Sequence, residues 1–109
     1  MHEDEIPPGT LYLLILKALA RHGELHGYEI ANWIEQVSDD VLQVEEGSLY
    51  PALQRMLIKG WVTAKWGVTA GNRRARYYRL TALGLKQLEV EVSQFERVMQ
   101  AIKRAIQTA

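Results

Sequence analysis

A chain of 109 residues, 48% of them hydrophobic and with 13 basic and 13 acidic side chains, has the composition of one globular domain rather than of a disordered segment. It contains no cysteine, which excludes a disulfide framework, a thiolate metal site and a cysteine nucleophile. The longest apolar run, Leu11 to Leu16, is too short to span a bilayer, and the acidic residues after Met1 are unlike the basic start of a signal peptide. We therefore expect a cytoplasmic protein.

The charges are unevenly distributed, although they sum to zero. Residues 1–51 carry ten acids and two bases, residues 52–80 carry seven bases and no acid, and residues 81–109 carry four bases and three acids. A basic block inside a neutral protein indicates a local anionic partner. The alternative is a solvated face that balances the acidic half, and charge alone does not decide between the two.

The first predicted element is a helix that begins near Thr10. Thr10 is a candidate N-cap, and it follows Pro7 and Pro8, which can precede a helix but cannot continue one. Apolar residues repeat at helical spacing from Leu11 onward, and Gly23 ends the helix. Its apolar surface is wider than one stripe, which predicts burial on more than one side.

A second helix is predicted over about residues 26–37, where Ile30 and Ile34 share an apolar face. The turn-forming residues 38–40 end it. Residues 41–44 (VLQV) are candidates for a very short strand.

The stretch EEGSLYPALQRMLIKG predicts a third helix, which ends at Gly60. Proline is tolerated near a helix start, where no amide partner is needed. Pro51 therefore places the predicted start of this helix near Gly47 or Ser48. Its inward face is formed by Leu49, Leu53, Met56 and Leu57.

The period then changes from helix to strand. The segments from Trp61 to Trp66 and from Arg76 to Thr81 are rich in β-branched and aromatic residues, and the glycine-containing segment 67–75 between them predicts a hairpin with a long, mobile tip. A final helix is predicted from Ala82 to about Ile106, with Thr81 as its N-cap. The expected fold is mainly α with a small β-hairpin, namely a winged helix-turn-helix over residues 1–81 followed by a C-terminal dimerisation helix over residues 82–109.

The third helix also carries a polar outward side, which predicts contacts with DNA. Gln54 can read adenine and Arg55 can read guanine, each through two hydrogen bonds. Ser48 and Tyr50 can bond phosphate or base edges, and Pro51 offers a rigid apolar edge to a thymine methyl group. Taken alone, this helix is better interpreted as an ordinary amphipathic surface helix.

The hairpin makes DNA binding the favoured interpretation, because it places a cluster of cations beside that helix. Arg73 and Arg74 lie at the tip, Arg76 lies on the second strand, and Lys65 lies on the first. Cations on a mobile tip can enter a minor groove or hold the phosphate backbone. Leu80 is expected to face the core and to bring Tyr78 with it, so the pattern of the strand leaves open which of its arginines contacts DNA.

Four motifs resemble the PadR family of bacterial transcriptional regulators, in its short form with a single C-terminal helix. The motifs are HGYEI (His26–Ile30), GSLYPAL (Gly47–Leu53), LIKGWV (Leu57–Val62) and RYYRLTALG (Arg76–Gly84). The resemblance implies a dimeric winged-helix repressor. The DNA contacts that it implies are the basic wing and Tyr28, Ser48, Tyr50 and Pro51. The tip departs slightly from the family pattern, because it pairs two arginines where relatives mix glycine with basic residues.

The last helix predicts a helical partner, because its apolar residues alternate in steps of three and four. These residues are Leu85, Leu88, Val92, Phe95, Met99, Ile102 and Ile106. A two-fold dimer would place two recognition helices about 34 Å apart and would favour a palindromic operator. The alternative is that this helix folds back onto the first helix of the same chain, and both arrangements can hold together.

No pattern in the sequence indicates catalysis or a cofactor. The three histidines lack the spacing of a metal site, and no carboxylate falls in a motif that pairs an acid with a base. The resemblance makes a small-molecule effector plausible, with Trp33, Trp61 and Trp66 as candidates for a flat apolar pocket, but nothing in the sequence selects a ligand. A second function class, a winged-helix module that docks a protein partner without binding DNA, is favoured by the acidic first half.

Overall fold

The computed structural model describes Ile6 and residues 9–108. Over these residues the chain forms four helices and a three-stranded antiparallel sheet, which confirms the predicted fold class. The helices are α1 (Thr10–His22), α2 (Gly27–Val37), α3 (Glu46–Ile58) and α4 (Ala82–Gln107). The strands are β1 (Leu25–His26), β2 (Val62–Val68) and β3 (Arg74–Leu80). The predicted role of Pro7 and Pro8 lies outside the described residues.

Helix α1 begins one residue earlier than a Thr10 N-cap requires, so that prediction is wrong. Gly9 holds the N-cap position with φ 88°, and Thr10 is the first helical residue, with no side-chain cap. The positive φ at Gly9 is a conformation that glycine adopts without steric cost, which explains why it takes this place. The predicted end is confirmed, because Gly23 has φ 85° and its N–H donates to the Leu19 carbonyl at 2.8 Å.

Helix α2 starts with a reciprocal cap that involves His26. The Nδ1 atom of His26 accepts from the N–H of Glu29 at 3.3 Å, and Oε1 of Glu29 accepts from the N–H of His26 at 3.0 Å. Two amides at the helix start are thereby satisfied. His26 thus has a structural role at a helix start, and the same residue ends strand β1.

The sheet has the order β1-β3-β2, and its third strand is not the predicted one. Leu25 and His26 pair with Tyr78 and Tyr77 of β3. The segment 41–44 forms no strand beyond an isolated bridge residue; instead the Glu35 carboxylate accepts from the N–H of Val44 at 2.9 Å. A hydrogen bond to a side chain therefore holds this segment, where a strand would be held by backbone hydrogen bonds to a neighbouring strand.

The hairpin, called here the wing (residues 62–80), has longer strands and a shorter tip than predicted. Its register runs from Val62 opposite Leu80 to Val68 opposite Arg74. Only residues 69–73 form the tip, where the N–H of Thr69 donates to the carbonyl of Arg73 at 2.8 Å. The tip is therefore closed by backbone hydrogen bonding.

Helix α3 starts at Glu46, so Pro51 lies in the second turn and not in the first. Proline has no N–H for the carbonyl four residues earlier, which is that of Gly47. Both Gly47 and Pro51 are exposed, so water can satisfy that carbonyl. This is the physical reason why the helix can begin before the predicted start near Gly47 or Ser48.

The core lies between α1 and the inner sides of α2, α3 and the sheet. Eight large side chains are almost fully buried there: Ile15, Leu16, Leu19, Ile30, Ile34, Leu49, Leu53 and Met56. Helix α1 contributes four buried residues between Ile15 and Leu19. It also contacts α2, α3, α4 and β3, which confirms its predicted burial on more than one side.

Thr81 joins the wing to α4. Its Oγ1 accepts from the N–H of Gly84 at 3.0 Å, which confirms the predicted N-cap, and donates to the Gly60 carbonyl at 2.6 Å. Gly84 is required at this junction, since a Cβ there would lie 2.0 Å from the Trp61 carbonyl oxygen. The first turn of α4 is thus packed directly against the backbone that enters β2.

We predict that Gly84→Ala destabilises the protein, because the added methyl group meets backbone that cannot move away cheaply. The expected loss in the free energy of unfolding is about 1–3 kcal/mol, the usual cost of overpacking. Gly47→Ala is the matched control, since a Cβ at this helical glycine meets nothing within 4 Å. It should stabilise the helix by up to about 1 kcal/mol. Urea unfolding at equal protein concentration measures both changes.

Candidate nucleic-acid interface

An open groove of about 740 Å³ separates the start of α2 and the outward side of α3 from the wing. We call it the wing groove. Six residues that the sequence predicted for DNA contact line it: Tyr28, Tyr50, Gln54, Arg73, Arg74 and Arg76. None of the described residues that line the groove is acidic. The structure therefore brings the third helix and the wing cations together on one surface.

Gly27 positions the wall of the groove that α3 provides. A Cβ at Gly27 would lie 2.7 Å from the Tyr50 hydroxyl and 2.8–2.9 Å from its ring carbons. The Tyr50 ring thus lies directly on the backbone at the start of α2, and this contact depends on glycine. Beside it, Tyr28 leaves 73% of its surface exposed, so two phenol rings stand at this end of the groove.

The opposite wall is one face of the wing. Alternation along β3 puts Arg74, Arg76 and Tyr78 on the same side of the sheet, and the register adds Trp66, which lies opposite Arg76. The guanidinium carbons of Arg74 and Arg76 lie 4.8 and 5.8 Å from the centre of the Trp66 ring. Both cations are therefore held over an aromatic face that points into the groove.

Tyr78 forms the floor of the wing groove and belongs to the core as well, with 4% of its surface exposed. Burial raises the pKa of its hydroxyl above the ordinary value; nearby Arg76 opposes this shift, and Tyr50 adds to it. The hydroxyl therefore stays protonated at neutral pH and can donate a hydrogen bond. Next to it, the Nε of Arg76 is buried without a hydrogen-bond partner.

Four predicted contact residues do not line the groove. Ser48 and Pro51 are exposed on the outward side of α3. The Nε of Arg55 donates to the Tyr12 hydroxyl, and its guanidinium carbon lies 5.7 Å from the centre of the Tyr12 ring, so Arg55 is turned toward α1. Lys65 lies on the other face of the wing.

The position of Lys65 follows from strand alternation. It points to the face opposite Trp66, beside Tyr77, and its Nζ lies 3.3 Å from a carboxylate oxygen of Glu24. Lys65 is thus paired with an acid at the back of the sheet, and the structure does not bring it together with Arg74 and Arg76.

The sequence did not single out His26, Trp66 and Tyr78 as residues of the interface, although all three line the groove. Alternation on β2 separates Trp66 from Lys65 and could have identified it once the register was known. His26 lacked such a signal, because the pairing of β1 with β3 brings it there.

Helix α4 presents to solvent most of the apolar residues that were predicted to meet a helical partner, called here the seam residues. Leu88 is buried against the chain's own core, and Met99 is half-buried. The other seam residues expose 37–76% of their surface: Leu85, Val92, Phe95, Ile102 and Ile106. Packing on α1 therefore accounts for the first part of the helix and leaves an apolar strip uncovered on the rest.

No helix of the described residues is long and apolar enough to cross a membrane. Among the same residues, no group of three or more histidine and carboxylate side chains could hold a metal ion.

Known proteins share this fold. A regulator from Clostridium thermocellum is similar over 88% of this chain and 92% of its own, with 28% identity and a TM-score of 0.80. A PadR-like regulator from Bacillus cereus matches over 93% and 95%, with 27% identity and a TM-score of 0.76. The negative transcriptional regulator PadR of Bacillus subtilis is 22% identical over 85 residues, which are 78% of this chain and 47% of that protein. Residues 15–90 match the family model of the PadR-like transcriptional regulators, and the chain belongs to that family of DNA-binding regulators.

Proposed function

We propose that this protein is a dimeric repressor that binds a specific, palindromic DNA site. Residues 1–81 form the DNA-binding unit, and residues 82–109 form the helix that joins two copies. In this assignment α3 selects the sequence, and the wing supplies most of the affinity through the phosphate backbone. It is a regulator and not an enzyme.

One observation carries the proposal: the outward side of α3 and the wing cations line the same groove, and no acid lies among the described lining residues. Phosphate binding requires cations that face the same side as the reading helix, and acids in between would oppose it. The acidic first half of the chain favoured a protein-docking module, but none of its described carboxylates lines this groove. DNA is therefore the better-fitting partner.

Gln54 is the proposed reader of base sequence. Its side chain is exposed and lines the groove between Tyr50 and the wing. The amide can bond both the N6 and N7 positions of adenine in a major groove. Pro51 stands beside Gln54 on the outward side of α3, where a rigid apolar edge suits a thymine methyl group. Ser48, exposed on the same side, and Arg55, which is turned toward α1, suit backbone phosphate.

The proposed backbone contacts are Arg73, Arg74 and Arg76. Arg73 lies at the tip, and the other two lie on the groove face of β3. Lys65 is left out of this set, because it is paired with Glu24 on the other face.

The dimer rests on the exposed apolar strip of α4. A solvent-facing strip with heptad spacing is the pattern of a helix that packs on another helix. Two-fold symmetry gives two α3 helices for two half-sites, separated by about one turn of DNA. The repressor role is supported by the relative that carries the name of a negative regulator.

We predict that Arg74→Ala weakens binding to all DNA sequences. Losing one phosphate contact should lower the slope of log affinity against log salt by about one. Arg79→Ala is the matched control, because Arg79 is an exposed arginine on the same strand that points to the other face. Mobility shifts at several salt concentrations, with the DNA upstream of the protein's own gene and with a mixed-sequence duplex, measure both variants.

Failure of the wild-type protein to retard either duplex at low salt would contradict the DNA-binding proposal and favour the protein-docking alternative. Equal losses in Arg74→Ala and Arg79→Ala would contradict the assignment of the groove face alone.

Gln54→Ala should relax sequence preference without changing the salt dependence. Loss of a bidentate contact to adenine costs about 1–3 kcal/mol of discrimination at one base pair. Selection of bound sequences from a random pool, carried out for wild type and variant, should show one position in each half-site that loses its preference. An unchanged selected motif would remove Gln54 from the reading set.

Phe95→Glu should convert the dimer to a monomer, because it places a charge in the centre of the apolar strip. Val90→Glu is the matched control on α4, since Val90 and Phe95 are 46% and 44% exposed but lie about 140° apart around the helix. Sedimentation velocity over a range of concentrations distinguishes the two. A wild-type protein that sediments as a monomer throughout would contradict the dimer itself.

A further inference from the structure

Trp66 is a large aromatic side chain that the core does not use. It leaves 60% of its surface exposed, although it lies on β2, a strand of the sheet. An indole of this exposure adds little to folding through burial. Its environment on the groove face of the wing indicates what it does instead.

The neighbours of Trp66 on that face are cations. The guanidinium carbon of Arg74 lies 4.8 Å from the ring centre, and that of Arg76 lies 5.8 Å from it. An arginine that stacks on an aromatic ring uses the flat face of its guanidinium, so the N–H groups at its edge stay available. Stacking therefore restrains both side chains without occupying the donors that phosphate needs.

The position of Arg76 carries a cost in the free protein. Its Nε is buried and has no hydrogen-bond partner, a state that costs free energy in the free protein. Its charge lies close to that of Arg74, with no acid among the described residues that line the groove. Two rings on this face offset the repulsion and the lost freedom of the two long side chains. The Tyr78 ring centre lies 6.0 Å from the guanidinium carbon of Arg76, whereas the ring of Trp66 contacts both arginines.

We propose that Trp66 is a positioning residue for DNA binding: its ring holds Arg74 and Arg76 extended into the wing groove, so that phosphate is met by side chains already in place. Less side-chain entropy is then lost when DNA binds, and affinity rises with no additional charge. This inference rests on the proposed function of the groove. It adds an uncharged residue, Trp66, to the residues on which DNA binding depends.

The proposal predicts that removing the Trp66 ring lowers the affinity for DNA without changing how that affinity depends on salt concentration. Trp66→Leu keeps bulk but removes the aromatic face, and it should weaken binding of a mixed-sequence duplex roughly fivefold. The slope against salt should stay at the wild-type value, because all the cations remain, whereas Arg74→Ala lowers it. Trp66→Phe, which keeps a smaller ring, should recover part of the affinity.

Val68→Ala is the matched control. Val68 is on the same strand and face, lies opposite Arg74 in the register, and is 63% exposed, but it has no ring. It should bind as the wild type does. Urea unfolding of each variant verifies that equal amounts of folded protein are compared.

A double-mutant cycle separates positioning from a structural role. At low salt, where the remaining cations still bind the duplex, Trp66→Leu is introduced into an Arg74→Ala/Arg76→Ala background. With no arginine left to hold, the substitution should cost almost nothing there. The same fivefold loss in both backgrounds, wild-type affinity for Trp66→Leu alone, or a reduced salt slope would each overturn the inference while leaving DNA binding intact. A wild-type protein that binds no duplex would overturn the proposed function and this inference together.

Discussion

Strand β3 carries a core side chain and the groove cations on the same face, and the position of the interface depends on this constraint. Tyr78 is buried between the helices and the sheet, so the face of β3 that bears it must turn inward. Alternation then directs Arg76 and Arg74 to the same side, progressively farther from the core. Pairing with β1 on one edge and β2 on the other prevents the strand from slipping, since a shift of one residue would expose Tyr78 and move both arginines to the back.

The same arrangement leaves unfavourable electrostatic repulsion among the cations of the wing groove in the free protein. Cations cluster around the groove without a nearby acid among the described lining residues, and a buried donor of Arg76 is unpaired. The rings of Trp66 and Tyr78 reduce this cost, but they do not neutralise charge. In the proposed complex, the phosphate backbone of DNA would neutralise this charge, and the affinity would include relief of a repulsion that is already present in the folded protein. Lys65, which faces the back of the sheet, has its own carboxylate partner and gains no such relief.

Elements with periodic patterns were predictable from the sequence, and features set by contacts distant in sequence were not. The helices, the hairpin and the Thr81 cap follow from local spacing. Strand β1 has two residues, too few for a period, and exists because β3 offers it a free edge. Which face of the wing Lys65 lies on depends on the register of the two strands. The predicted tip of nine residues left that register open, whereas the observed tip of five residues fixes it. The turn of Arg55 toward Tyr12, 43 residues away, has no local signal.

In the proposed dimer, the junction at Thr81 would let α4, which lies away from the wing groove, influence which DNA sites are bound. The Thr81 side chain bonds both the start of α4 and the carbonyl of Gly60, and Gly84 packs against the carbonyl of Trp61, so α4 extends rigidly from the base of the wing. Leu88 fixes the next turn in the core. In the proposed dimer, the crossing of two such helices then determines the distance between the two grooves. Half-site spacing would be selected by apolar packing along α4, independently of the bases that Gln54 reads, so operators that differ only in spacing should be distinguished by the dimer and not by the groove.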